Sequence, residues 1–158
     1  MTAEAEKLEK RARNVLLHQL SRSMKTEYQL RQIMIKREIP AEIFEPVIAR
    51  FVEAQLIDDL QFAQAFVASR VRAGKSVNTI RRELAKKGVS SSLIASSTEE
   101  ITLEDEIARA SDLLSRKRER MQGLETQVAR RRLHGLLARR GFSSQVIASA
   151  MRQSGVSG

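Results

Sequence analysis

The chain has 158 residues, 28 Lys plus Arg against 19 Asp plus Glu, a net charge of +9, two His and no Cys or Trp. No apolar run exceeds four residues, so a membrane span of about 20 residues and a signal-peptide core are excluded, and a cytoplasmic location is expected. Without Cys there are no disulfides, iron–sulfur clusters or thiol nucleophiles, and His18 and His134 lie 116 positions apart with no ligand pattern beside them, so neither a metal nor another cofactor is expected.

Strand periodicity is absent, and the chain reads as all α. A first helix is expected from Leu8 to Leu20. Thr26 then stands as an N-cap, and Thr26-Glu27-Tyr28-Gln29 has capping-box spacing, in which two side chains satisfy each other's orphan amides. The next helix carries Leu30 and Met34 one turn apart and closes on Lys36-Arg37; Pro40 opens a third, with its stripe through Ile43, Val47 and Ile48. Asp58-Asp59 precede a helix from Leu60 to Arg72. Such a pair can hold a divalent cation, but the other ligands a hard cation needs are missing nearby, and Asp58-x-x-Gln61 has the form of a cap. The following Arg70-Val71-Arg72-Ala73-Gly74-Lys75-Ser76 lacks the spacing and preceding strand of a phosphate loop. Ser76 is a candidate N-cap for a helix from Val77 to Lys87, with Ile80 and Leu84 inward. Ser90 opens another through Leu93 and Ile94. A long helix from Leu103 to about Met121 follows, then Thr126 as a candidate N-cap, Leu133 and Leu137 on one face, and Ser143 before Val146, Ile147 and Ala150. Met24, Met34, Met121 and Met151, with the Phe residues, read as core fillers at helical spacing.

Three segments align without gaps at offsets of 50 and 53 residues: LRQIMIKREIPAEIFEPVI from Leu30, IRRELAKKGVSSSLIASST from Ile80 and LHGLLARRGFSSQVIASAM from Leu133. Each copy closes one helix on two basic residues and turns sharply into another. Gly88 and Gly141 suit the left-handed position after the helix end, and Glu38 stands there in the first copy. With the helix upstream of each, the chain reads as three tandem three-helix units forming an elongated, curved array. The expected division is an N-terminal extension (1–9), units at 10–56, 57–102 and 103–153, and a C-terminal tail (154–158).

Charge is unevenly spread. Residues 1–60 carry 10 basic and 10 acidic groups, 61–98 carry 7 and 1, 99–112 carry 1 and 6, and 113–158 carry 10 and 2. Two basic blocks around an acidic strip suit a polyanionic partner or an acidic protein groove. On the helix from Val77, Arg81, Arg82 and Lys86 are placed opposite Val77, Ile80 and Leu84; in the third copy Arg131, Arg132 and Arg139 face away from Leu133, Leu136 and Leu137. Few acids lie at i±3 or i±4 to neutralise them. The candidate binding residues are Arg70, Arg72, Lys75, Arg81, Arg82, Lys86, Arg131, Arg132 and Arg139. The terminal Lys87 and Arg140 divide evenly between binding and simple pairing with helix C-termini. One Tyr and no Trp leave little for base stacking along single strands.

The motifs Thr26-x-x-Gln29-Leu30, Leu56-Ile57-Asp58-Asp59-x-x-Phe62-Ala63, Ser69-Arg70-x-Arg72-x-Gly74-Lys75, Ile80-Arg81-x-Glu83-Leu84-x-x-Lys87-Gly88-Val89 and Arg139-Arg140-Gly141-Phe142-Ser143 together resemble the RecX regulators of the RecA recombinase, over approximately residues 10–152. Three positions depart from that pattern: Gln29 for Glu, and Gln55 and Glu38 for Gly. The resemblance implies a three-helix-repeat fold without enzymatic activity, which inserts along RecA filaments on single-stranded DNA, inhibits ATP hydrolysis and strand exchange, and favours filament shortening. RecA and its filament are thus the expected partners of a monomer, with weak direct DNA binding besides. The rival reading is an autonomous DNA-binding protein using a helix pair as a helix-turn-helix. Against it, the second helices of the pairs carry few side chains able to read base edges, apart from Gln145. No nucleophile, base and orienting group can be assembled into a catalytic set.

Overall fold

The computed structural model describes residues 2–156, and among them it contains nine α-helices and no strand. The first repeat comprises α1 (Ala3–Arg22), α2 (Glu27–Lys36) and α3 (Ala41–Glu53). The second comprises α4 (Asp59–Arg72), α5 (Val77–Lys86) and α6 (Ser91–Thr98), and the third α7 (Leu103–Glu119), α8 (Thr126–Arg139) and α9 (Ser144–Gln153). The chain is therefore an all-α tandem repeat. Because Thr2 caps α1 by accepting from the Ala5 amide at 3.1 Å, residues 3–9, expected as an extension, are helical. At the other end Val156 packs on the core of the third repeat; residues 157 and 158 of the expected tail, like residue 1, lie outside the described range.

Local chemistry sets the helix ends. Thr26 Oγ1 accepts from the Gln29 amide at 3.1 Å while Gln29 Oε1 accepts from the Thr26 amide at 3.0 Å, so Gln at this position completes the capping box as Glu would. Ser76, Ser90 and Ser143 each accept from the amide three residues on. Thr126 corrects the expectation. It is already the first helical residue of α8, so its hydroxyl cannot serve as the cap, and Glu125 occupies the N-cap position without a side-chain hydrogen bond. The two aspartates also divide their work. Asp58 Oδ1 accepts from the Gln61 amide of its own helix at 3.0 Å, whereas Asp59 Oδ1 accepts from the Glu27 amide, the first of α2, at 3.0 Å.

The apolar stripes face inward as their spacing demands: Leu30, Met34, Ile80, Leu84 and Leu137 are fully buried and Leu133 nearly so. Each such Leu, Ile or Met contributes roughly 1.5–3 kcal/mol by leaving water. Met34 and Met151 fill cores, but Met24 is 45 % exposed, since it lies in the polar connector after α1 rather than on a helix stripe. In the first repeat α1 packs chiefly on α3, and in the third α7 packs chiefly on α9. Packing divides the chain into two compact units, not three. One joins the residues up to Ala65 with Leu84–Ile94, and the other joins Phe66–Glu83 with the residues from Ala95 on. The middle repeat is shared between them.

Candidate functional site

The basic turns that close α5 and α8 prove to be docking points. In the first compact unit, Thr26 Oγ1 donates to the Lys87 carbonyl at 2.6 Å. The backbone at Gly88 comes so close to Tyr28 that a Cβ there would lie 2.1 Å from the Tyr28 Cβ. In the second unit the same relation recurs 53 residues on, where the Ser76 amide and Thr79 Oγ1 both donate to the Arg140 carbonyl, at 3.1 and 3.3 Å. A Cβ on Gly141 would meet Thr79 Oγ1 at 1.8 Å and Ser76 Oγ at 2.6 Å. Gly88 and Gly141 have φ of +83° and +89°, so glycine is required there both by conformation and by close approach.

An acid from the following repeat seals each junction. Asp59 takes the first amide of α2, and Glu106, only 4 % exposed, takes the first amide of α5 at 2.6 Å. Glu106 also holds Arg109 at 2.9 Å, and Arg109 donates to the Lys75 carbonyl at 2.7 Å. Glu106 was hidden in the sequence because it reads there as one member of an acidic strip. Its register on α7 differs from that of Asp59 on α4, so the repeat alignment does not reveal the shared role.

The second junction gathers cations. Arg82 Nη2 donates to Thr79 Oγ1 at 3.1 Å, and Thr79 in turn donates to the Arg140 carbonyl. The Arg140 guanidinium reaches the Ala73 carbonyl at 2.7 Å, so it caps the end of α4 rather than that of its own helix. Arg82 is thereby tethered to the turn that ends α8, while Arg72 and Lys75 flank in sequence the Ala73-Gly74 turn that Arg140 meets. Arg139 lies back along α8, its Nη1 3.1 Å from where a Gly135 Cβ would stand. Arg131, Arg132, Gly135 and Arg139 fall within about 100° of a helical wheel, forming one exposed cationic ridge along α8.

Other candidates sit differently. Arg70 is committed within its unit, with Nε 3.1 Å from Glu83 Oε2 and its guanidinium 5.1 Å from the centre of the Phe66 ring. Arg81 does not face away from the core as expected. On a wheel of 100° per residue it lies about 60° from Leu84, and its Nε donates to the buried Thr98 hydroxyl at 3.2 Å. Lys86 is exposed but belongs to the first compact unit. Among the described residues no group of three or more His, Asp or Glu is placed to hold a metal ion, and no helix is long and apolar enough to cross a membrane.

Comparisons with known proteins agree along the whole chain. The models of the first, second and third three-helix domains of RecX match residues 12–51, 58–97 and 104–151. The regulatory protein RecX of Streptomyces coelicolor is 40 % identical over 143 residues, covering 90 % of this chain and 76 % of that one. That of Thermobifida fusca is 36 % identical over 154 residues, covering 96 % and 83 %. The crystal structure of RecX from Lactobacillus salivarius shares the fold, with a TM-score of 0.84 at 17 % identity over 96 % of this chain and 99 % of that one. With three consecutive domain matches, and the glycine turns and capped junctions that join the repeats, the chain belongs to the RecX family of regulatory proteins.

Proposed function

We propose that this protein regulates the RecA recombinase by lodging along RecA filaments on single-stranded DNA in the cytoplasm. There it limits ATP hydrolysis and strand exchange, and so modulates recombination, DNA repair and the SOS response. It acts by binding, as a monomer, without catalysis of its own. The observation that carries this reading is the cationic surface of α8 and the second junction, in a chain of the RecX family. Arg131, Arg132 and Arg139 present an exposed ridge, and Arg82 is tied through Thr79 to the turn at its end, with Arg72 and Lys75 beside the Ala73-Gly74 turn that Arg140 meets. Such a surface suits acidic protein groups or phosphates of a nucleoprotein filament. Arg81 and Lys86 are lesser contributors, and Arg70 is engaged by Glu83.

The helix-turn-helix reading gains no support from α6, whose sequence SSLIASST offers no long polar side chain to read a base edge. The test is a titration of RecA ATPase on single-stranded DNA. Inhibition is expected at less than one copy per RecA, because several weak contacts along a repeat array add as a multivalent grip. Arg131→Glu with Arg132→Glu should weaken inhibition at least tenfold and flatten its dependence on salt. Inhibition that vanishes on adding excess naked DNA would instead support competition for DNA.

A further inference from the structure

Residues 1–60 carry as many basic as acidic groups, but folding sorts them. Three of the eight acids in residues 3–53 are held in ion pairs. Glu9 binds Arg13 and Arg50 at 3.0 and 2.7 Å, while Glu27 and Glu45 both bind Arg31, at 2.9 and 2.8 Å. The Arg50 hydrogen bond, reinforced by Arg13, holds the Glu9 carboxyl below its ordinary range, as expected of a carboxylate kept ionised by its partners. Left over on the other side of α1 are Lys7, Lys10 and Arg11, which with Asn14, Val15, His18 and Arg37 line an open groove of about 490 Å³. Arg37 stands across from α1, at the turn after α2. Glu4 shares this face of α1 and Glu38 adjoins Arg37 in sequence, but neither lines the groove.

We propose that this groove is a second binding site, for the phosphodiester backbone of a single nucleic-acid strand. Two features favour that occupant over an acidic protein segment. Protein interfaces are anchored by buried aromatic, Met or Arg side chains seated in apolar pockets, whereas the only apolar side chain here is Val15, itself 7 % exposed and part of the core. The remaining lining residues are hydrogen-bond donors of the kinds that position phosphates, with no aromatic face on which a base could stack. They also recur at about one per helical turn, roughly every 5.4 Å from Lys7 to His18, which suits an extended backbone passing along α1 with Arg37 on its other flank. The site belongs to the first compact unit and the α8 ridge to the second, so the two are separable by mutation.

The test needs no RecA. Fluorescence anisotropy of a labelled dT20 oligonucleotide is followed over a range of salt with full-length protein carrying Arg131→Gln, Arg132→Gln and Arg139→Gln. Binding is expected to persist in that background. Adding Lys7→Gln, Lys10→Gln and Arg11→Gln should reduce the affinity at least tenfold and lower the slope of log K against log salt by about 2, as for three released counterions on a single strand. Arg37→Gln alone should give a smaller loss in the same direction. Far-UV circular dichroism checks that α1 stays folded, as it should when exposed cations give way to another good helix former. An unchanged slope in the folded variants would overturn the proposal. So would loss of dT20 binding in the ridge-neutralised background, or displacement of dT20 by a 20-residue polyglutamate as readily as by unlabelled dT20.

Discussion

Glu38 and Gly141 occupy the same place in their repeats and the same left-handed region of backbone space, at φ +60° and +89°. The difference lies in what stands next to them. Glu38 is exposed, so its side chain has room and only the conformational cost of roughly 1–2 kcal/mol applies. At Gly141 any side chain would also collide with Thr79 and Ser76. Gly141→Ala is therefore expected to destabilise by about 2–4 kcal/mol, from backbone strain plus overpacking. Glu38→Gly should be stabilising, or neutral to within about 1 kcal/mol. Urea denaturation of the two variants checks the contrast. Asp59 makes a second residue-scale prediction. Burial pushes its carboxyl above the ordinary Asp range, with the nearby Glu27 charge acting in the same direction, against the Glu27 amide hydrogen bond. The folded state thus holds this proton more tightly than the unfolded chain does. The stability it contributes is present below the ordinary Asp pKa and lost as pH climbs through the raised value. Asp59→Asn keeps an acceptor for the Glu27 amide without the titration. Its stability relative to wild type should rise between about pH 3 and about pH 6, as read from urea midpoints across that range. Asp59→Ala should cost about 1 kcal/mol through the start of α2, not of α4.

Periodicity made the helices legible, because a stripe such as Leu30 and Met34, or Leu133 and Leu137, has one stable destination. The capping box at Thr26 and the starts at Ser76, Ser90 and Ser143 were equally readable, since those bonds run only three residues along the chain. What escaped sequence reading is what spans repeats. Asp59 reaches back 32 residues to α2 and Glu106 29 residues to α5, and no local spacing marks either. The cationic candidates show the same division. Arg131, Arg132 and Arg139 share a face by arithmetic alone. The engagement of Arg70 by Glu83 depends on two helices meeting, and the groove on α1 depends on Arg37, brought from the turn after α2, joining Lys7, Lys10 and Arg11.

Across the whole molecule, sequence and packing count differently: three repeats by alignment, two compact units by contact. A cut at a repeat boundary therefore does not release an intact folding unit. A fragment ending at Thr98 retains the residues of the first unit but leaves Phe66–Glu83 without α7, α8 and α9, and in particular without Glu106 and Arg140. Hydrogen exchange on that fragment should show native protection in α1–α3 and near-complete loss of protection over residues 66–83. If 66–83 remained protected, the second repeat would hold itself together without its downstream neighbour. The same loss should weaken the proposed inhibition of RecA ATPase, since the fragment lacks the α8 ridge and its Arg82 is no longer tethered through Thr79 to Arg140.

The turn at Glu38 has a consequence for self-association. Chains built from like modules that dock head to tail carry an inherent hazard, because an open end on one molecule can accept the free start of another and growth then never closes. The start of α8, where Thr126 is exposed and no side chain caps the first amides, is such a free start. The matching acceptor would be the turn after α2, and there a glutamate side chain stands where the inner turns have none. A single carboxylate at a position built for glycine would stand in the way of such growth, so sedimentation velocity of Glu38→Gly beside the parent chain tests whether this side chain limits self-association.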